Sequence, residues 1–320
     1  MQELVSKRHK AKKEALAKGG IFIPLLFSFA ARLEDIPLPQ FLGDPTKIAN
    51  AIRSVQSYYR LKGVTCYCDP TLEAEALGCE LDWGTHPPRI IRRQPIDSDT
   101  KARAEKIAEL GRIPTALEVV NILDSVLGDV ILLAAITGPF TLARNLTDPG
   151  RSPEREALEL ALRVTLILIR RFGEIGLNVP LIREDQLPQG TDEAMQTVKS
   201  IYAPIWNTAK FYGMHPVLSA KNAYPSGQSL FQIADCATVS DLTGLNGNSA
   251  QRIAYALSVP SLTETREDIQ SRLERDLPQP LLASGRIFMI TTDEEIPLNT
   301  DAEALIKGME AVQNYLDVGI

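Results

Sequence analysis

Short apolar runs rich in β-branched residues alternate along this chain with longer stretches in which apolar positions recur every three to four residues. Eight short runs read as strands: 21–27 (IFIPLLF), 63–69 (GVTCYCD), 130–137 (VILLAAIT), 178–185 (NVPLIRED), 215–221 (HPVLSAK), 236–242 (CATVSDL), 254–260 (AYALSVP) and 286–292 (RIFMITT). The stretches 44–62, 115–128, 152–176, 191–213, 263–277 and 299–316 have helical spacing, and several open on a Ser, Thr or Asp placed to cap a helix.

Eight strands separated by helices in 320 residues predict an α/β fold of the (β/α)8 barrel type. A doubly wound sheet would want a glycine-rich phosphate loop after the first strand, and neither G-x-G-x-x-G nor G-x-x-x-x-G-K-[ST] occurs. The alternation breaks over 75–112. There CELDWG and RIIRRQPI, separated by THPP, predict a small hairpin inserted after the second strand. With no low-complexity linker, residues 1–320 read as a single domain, with an N-terminal helix over 1–20.

Charge and cysteine content narrow the function classes. A net charge of -6 disfavours nucleic acid as the main ligand, and the basic stretch SKRHKAKKEALAK (6–18) reads as a solvated helix. No apolar run is long enough to span a membrane and no signal-peptide pattern is present, so a cytoplasmic protein is expected. Cys66, Cys68, Cys79 and Cys236 are too few for a disulfide framework, and the Cys66–Cys68 pair reads as buried residues rather than metal ligands.

In a barrel, polar residues at the C-terminal ends of strands mark the active-site mouth. Those positions carry Asp69, Thr137, Glu184, Asp185, Ser219, Lys221, Asp241, Asp293 and Glu294. Any one of them can cap the following helix, but together they predict an acidic rim around a pocket with one lysine. His215 begins its strand, on the opposite rim. His86 lies in the hairpin and is placed to reach over the mouth, and His9 lies in the basic helix. Histidines so placed assemble neither a Ser-His-Asp triad nor a three-histidine metal site.

Three stretches together resemble the uroporphyrinogen decarboxylase superfamily, which includes corrinoid-linked methyltransferases: CDPTLEAEALGCELDW (68–83), AITGPFTLARNL (135–146) and FMITTDEEIPLNTDAEALIKGMEAVQNY (288–315). The resemblance independently implies the barrel, and a homodimer is common in such proteins. It disfavours the decarboxylase branch. Of the arginine-rich signature that holds substrate carboxylates there, only Arg32 remains, and Asn145 replaces a tyrosine. Asp69 matches the family's key aspartate, but a polycarboxylate would meet an acidic rim with few cations.

In the methyltransferase branch, zinc is held at positions that correspond here to Ser219, Lys221 and Glu294, so the thiol-activating zinc is not expected. Lys221 and Glu294 read either as a simple salt bridge across the pocket or, in the functional reading, as a stabiliser of a leaving oxyanion (Lys221) and an acid or base (Glu294), with Asp69 completing the catalytic set. Ser219, Asp185, Asp241, Phe140, Asn145, Phe27 and His86 are the expected substrate contacts. No corrinoid-binding signature (Asp-x-His-x-x-Gly) is present, so a corrinoid (cobalamin) would come on a corrinoid-binding partner protein or as a free ligand. The expectation is corrinoid-dependent methyl transfer involving a small methylated substrate. The alternatives are a divergent decarboxylase and a non-catalytic tetrapyrrole- or corrinoid-binding partner.

Overall fold

The computed structural model describes residues 12, 14–18, 20–84, 87–188, 191–221, 230–242 and 251–319. Ten strands occur among them: β1 (Ile21–Phe22), β2 (Gly63–Tyr67), β3 (Glu80–Asp82), β4 (Arg89–Arg92), β5 (Ile131–Thr137), β6 (Val179–Glu184), β7 (Val217–Ala220), β8 (Cys236–Val239), β9 (Arg252–Leu257) and β10 (Ile287–Thr292). Eight of them form one parallel sheet in the order β1-β10-β9-β8-β7-β6-β5-β2, and β3 and β4 pair antiparallel as a separate hairpin. Each of the eight apolar runs thus supplies one strand of a nearly closed (β/α)8 barrel, and the insertion after the second strand contains the expected hairpin.

The seam between β1 and β2 lacks backbone pairing because β1 is short. Pro24 has no N–H to donate and ends the strand well before Phe27, where the apolar run stops. The seam is closed by other means. Thr65 Oγ1 donates to the Pro24 carbonyl at 2.8 Å, and Gly63 lies so close to Ile23 that a Cβ there would stand 2.6 Å from Ile23 Cγ1. Glycine at 63 is therefore a packing requirement of barrel closure.

The barrel interior is filled by side chains such as Ile23, Leu133, Leu181, Val217 and Phe288, each almost inaccessible to solvent. Helices 45–59, 113–126, 155–174, 192–211 and 302–319 cover the outside and bury their apolar faces. Several begin on the caps that the sequence implied: Asp44 accepts from Thr46 N and Lys47 N, Thr191 from Ala194 N, and Thr265 from Asp268 N. Among the described residues no helix is long and apolar enough to cross a membrane. His9 and His86 lie outside the described residues.

Candidate active site

A cavity of about 740 Å³ lies at the C-terminal ends of the strands. Its wall includes Asp69, Asn145, Asp185, Ser219, Lys221 and Glu294, so the barrel brings these six expected site residues together. A second cavity, of about 760 Å³, lies at the other end of the barrel, beside His215, Arg252 and Phe288. Barrel enzymes carry their chemistry at the C-terminal ends, which places the candidate site at the first.

The remaining expectations are placed differently. Phe27 is fully buried, with ring centroids 5.2 Å from Phe41 and 4.8 Å from Tyr67, and belongs to the core. Phe140 stacks on Tyr202 at 6.4 Å and does not line the cavity. Asp241 lies beyond the end of β8, exposed and away from the cavity wall.

Asp69 is buried and engaged on both oxygens. Oδ1 accepts from Thr71 N at 2.8 Å and Thr71 Oγ1 at 2.7 Å, while Oδ2 accepts from Arg112 Nη1 at 2.5 Å. Arg112 also donates to Glu75 Oε2 at 2.7 Å and lies over the Trp83 ring at 4.7 Å. Asp69 thus ties the insertion to the barrel and is not an idle acceptor for substrate N–H groups.

The segment Gly138-Pro139-Phe140-Thr141 is organised around Glu184 at the end of β6. Glu184 Oε1 accepts from Phe140 N at 3.1 Å and Tyr202 OH at 2.6 Å; Oε2 accepts from Thr141 N at 2.7 Å and Thr141 Oγ1 at 2.5 Å. Thr141 Oγ1 in turn accepts from Asp185 N at 2.8 Å. Pro139, with no N–H to satisfy, suits the first turn of helix 139–145. Burial pushes the Glu184 carboxyl up to about 7 although its hydrogen bonds favour the anion. Glu73 plays a similar part next door, accepting from Thr137 N and Thr137 Oγ1.

The sharpest difference from the sequence reading concerns Asp293-Glu294-Glu295. The Glu294 side chain is 65% exposed on the rim, where Lys221 Nζ stands 3.8 Å from its Oε1 and 3.4 Å from Asp185 Oδ1. Asp293 Oδ1 accepts from Val259 N, a turn-stabilising bond. Glu295, by contrast, lines the cavity with its carboxyl surrounded by protein. It accepts from Ser28 N at 2.7 Å, and burial pushes its pKa up to about 7, with Arg183 opposing the rise and Asp69 adding to it.

The expectation of an acidic rim with few cations is also corrected. Arg89, Arg93 and Arg183 line the cavity with Lys221. Arg89 and Arg93 arrive because the hairpin folds over the mouth, and Arg183 because it lies one residue inside the end of β6. Arg32, the remnant of the decarboxylase signature, donates to the carbonyls of Leu298 and Thr300 at 2.5 and 2.6 Å, binding helix 28–33 to the turn after β10.

Residues 24–163 match the family model described as Uroporphyrinogen decarboxylase (URO-D). That part of the barrel is similar to the uroporphyrinogen decarboxylase family. Among solved structures, this barrel is similar to a methyltransferase from Methanosarcina mazei, with TM-score 0.72 and 18% identity over 95% of this chain and 96% of that one. It is also similar to a B12-independent methionine synthase from Shewanella sp. W3-18-1, with TM-score 0.54 and 11% identity over 84% of this chain and 86% of that one. At these identities the likeness is one of fold. No curated protein matches the sequence.

Proposed function

We propose that this uroporphyrinogen decarboxylase-like barrel catalyses methyl transfer between a small methylated compound and a corrinoid brought by a partner protein or bound as a free ligand. One observation supports this above all: Ser219, Lys221 and Glu294, which match the zinc-ligand positions of the methyltransferases it resembles, all line a single cavity. The fold likeness to a methyltransferase supports it further.

The donors at those positions do not fit zinc. A hydroxyl, an ammonium and one carboxylate replace thiolate and imidazole, and the Lys221 ammonium is already held between Asp185 and Glu294. Among the described residues no group of three His, Cys, Asp or Glu side chains is placed to hold a metal. A corrinoid is compatible with the mouth, which is open to solvent and carries Arg89, Asn145 and Asn299 to hold its amide-bearing edge. When bound, it supplies the cobalt that exchanges the methyl group.

The chain's own residues supply the rest. Lys221 stabilises negative charge on the leaving oxygen, with Asp185 and Glu294 holding the ammonium at the rim. Glu295, with a pKa near neutrality, takes up or delivers the proton. The test is to mix the protein with a chemically reduced cobalt(I) corrinoid and a panel of methylated donors and follow the cobalt absorption. Lys221→Met and Glu295→Gln are each expected to slow formation of the methylated corrinoid by about 100-fold. Absence of any spectral change across donors and acceptors would sink the reading, and transfer without added corrinoid would remove the corrinoid from it.

A further inference from the structure

Three guanidinium groups in the cavity wall, those of Arg89, Arg93 and Arg183, form no ion pair among the described residues; Arg89 is exposed, whereas Arg93 and Arg183 are half-buried. Arg183, near the end of β6, donates to Cys68 Sγ at 3.5 Å, and burial keeps that thiol protonated by raising its pKa to about 12. Arg93, just after β4, lines the same cavity, and its Nε is buried without a hydrogen-bond partner. Two other cations nearby are taken: Arg112 by Asp69 and Glu75, and Lys221 by Asp185 and Glu294.

Half-burying guanidinium groups without an anion carries a desolvation cost, and a planar fork of donors is suited to a carboxylate. Glu295 is the cavity acid whose charge bears on Arg183. Because burial favours its neutral form, it compensates Arg183 only in part at neutral pH. Around these charges the wall is apolar, with Ile90, Ala135, Ile296 and Leu298. The cavity wall therefore combines these cations, apolar side chains and, at the rim, the Lys221 cluster.

We propose that Arg183 and Arg93 form an anion subsite that binds the carboxylate of the substrate, which makes the substrate a methylated organic acid with an apolar body. The assignment of this acid as methyl donor rests on the methyl-transfer reading, whereas the subsite itself does not. The carboxylate lies between the barrel floor and the hairpin, and the apolar body directs the methylated oxygen toward Lys221.

Calorimetric titration of the full chain, with no corrinoid present, tests the subsite with 4-methoxybenzoate and its neutral near-isostere 4-methoxybenzamide. The acid is expected to bind at least about 10-fold more tightly than the amide, and Arg183→Gln to weaken acid binding about 10- to 100-fold while leaving amide binding unchanged. Arg93→Gln has the same effect to a smaller degree, and Arg183→Lys restores part of the loss by keeping the charge without the fork. Thermal melting of each variant checks folding, and if Arg183→Gln does not fold, Arg183→Lys and Arg93→Gln carry the comparison. Equal affinity for acid and amide, or a preference that survives these substitutions, overturns the subsite even if methyl transfer from neutral donors is found. Arginine-dependent acid binding supports it even where no methyl transfer follows, in which case the assignment of the acid as methyl donor falls instead.

Discussion

Gly138 lies against Glu184 so closely that a Cβ at position 138 would stand 2.3 Å from the Glu184 carboxyl carbon. The most recognisable segment of the sequence, Gly-Pro-Phe-Thr, is thus a seat for a buried carboxylate that fixes helix 139–145 on the end of β6. Gly138→Ala should lower stability by about 1–3 kcal/mol, because Glu184 must shift and its donors lose their acceptor. An unchanged denaturation midpoint in urea would show that this close contact does not exist in solution.

Glu184 also makes stability depend on pH. Burial raises its pKa from the ordinary 4.5 to about 7, so the folded state holds the proton more tightly than the unfolded chain. Its stabilising contribution is complete below pH 4.5 and declines as the pH rises toward 7. Relative to Glu184→Gln, the wild-type protein should lose up to about 3 kcal/mol across that interval. Denaturation curves at several pH values read this directly, and parallel pH profiles for the two proteins would contradict it.

Arg112 holds Asp69 where both side chains are buried. Arg112→Met leaves a desolvated carboxylate and should cost about 3–5 kcal/mol. Adding Asp69→Asn to that variant should recover part of the loss, since the two residues form one network. A double-mutant cycle measures the coupling, and additive costs would argue that the ion pair contributes nothing as a pair.

The rim cluster should behave in the opposite way. Lys221 and Glu294 are 54% and 65% exposed at their side chains, so Lys221→Met should change stability by less than about 0.5 kcal/mol. Under the proposed function, its effect falls on the rate of methyl transfer, expected to drop about 100-fold. A large drop in melting temperature with unchanged rate would make Lys221 a structural residue.

Much of the barrel could be read before any coordinates. Strand and helix periods are local properties of the chain, so all eight barrel strands and the inserted hairpin were visible as runs and breaks. Their ends were less so. The run 21–27 looked like a seven-residue strand, but Pro24 cannot join the ladder, and β1 pairs over only Ile21 and Phe22 before side chains take over the closure. In the site, Asp69, Asp185, Ser219, Lys221 and Glu294 share a cavity because each lies at or just after a strand end, and strand ends can be counted from sequence; Asn145 reaches the same wall from the end of helix 139–145.

Which way a side chain points after a strand ends cannot be counted. Glu294 and Glu295 are neighbours with the same chemistry, and only the path of the turn after β10 puts one on the rim and the other against Ser28 inside the cavity. The same holds for Arg89 and Arg93, which belong to an insertion whose placement over the mouth depends on contacts distant in sequence, such as Arg112 with Asp69. By itself the sequence determined the order of elements and the end of the barrel where chemistry collects, because both follow from local periodicity. Tertiary packing alone decided which charges are buried, which are paired and which stand free, because desolvation and ion pairing depend on residues that meet only when the barrel closes.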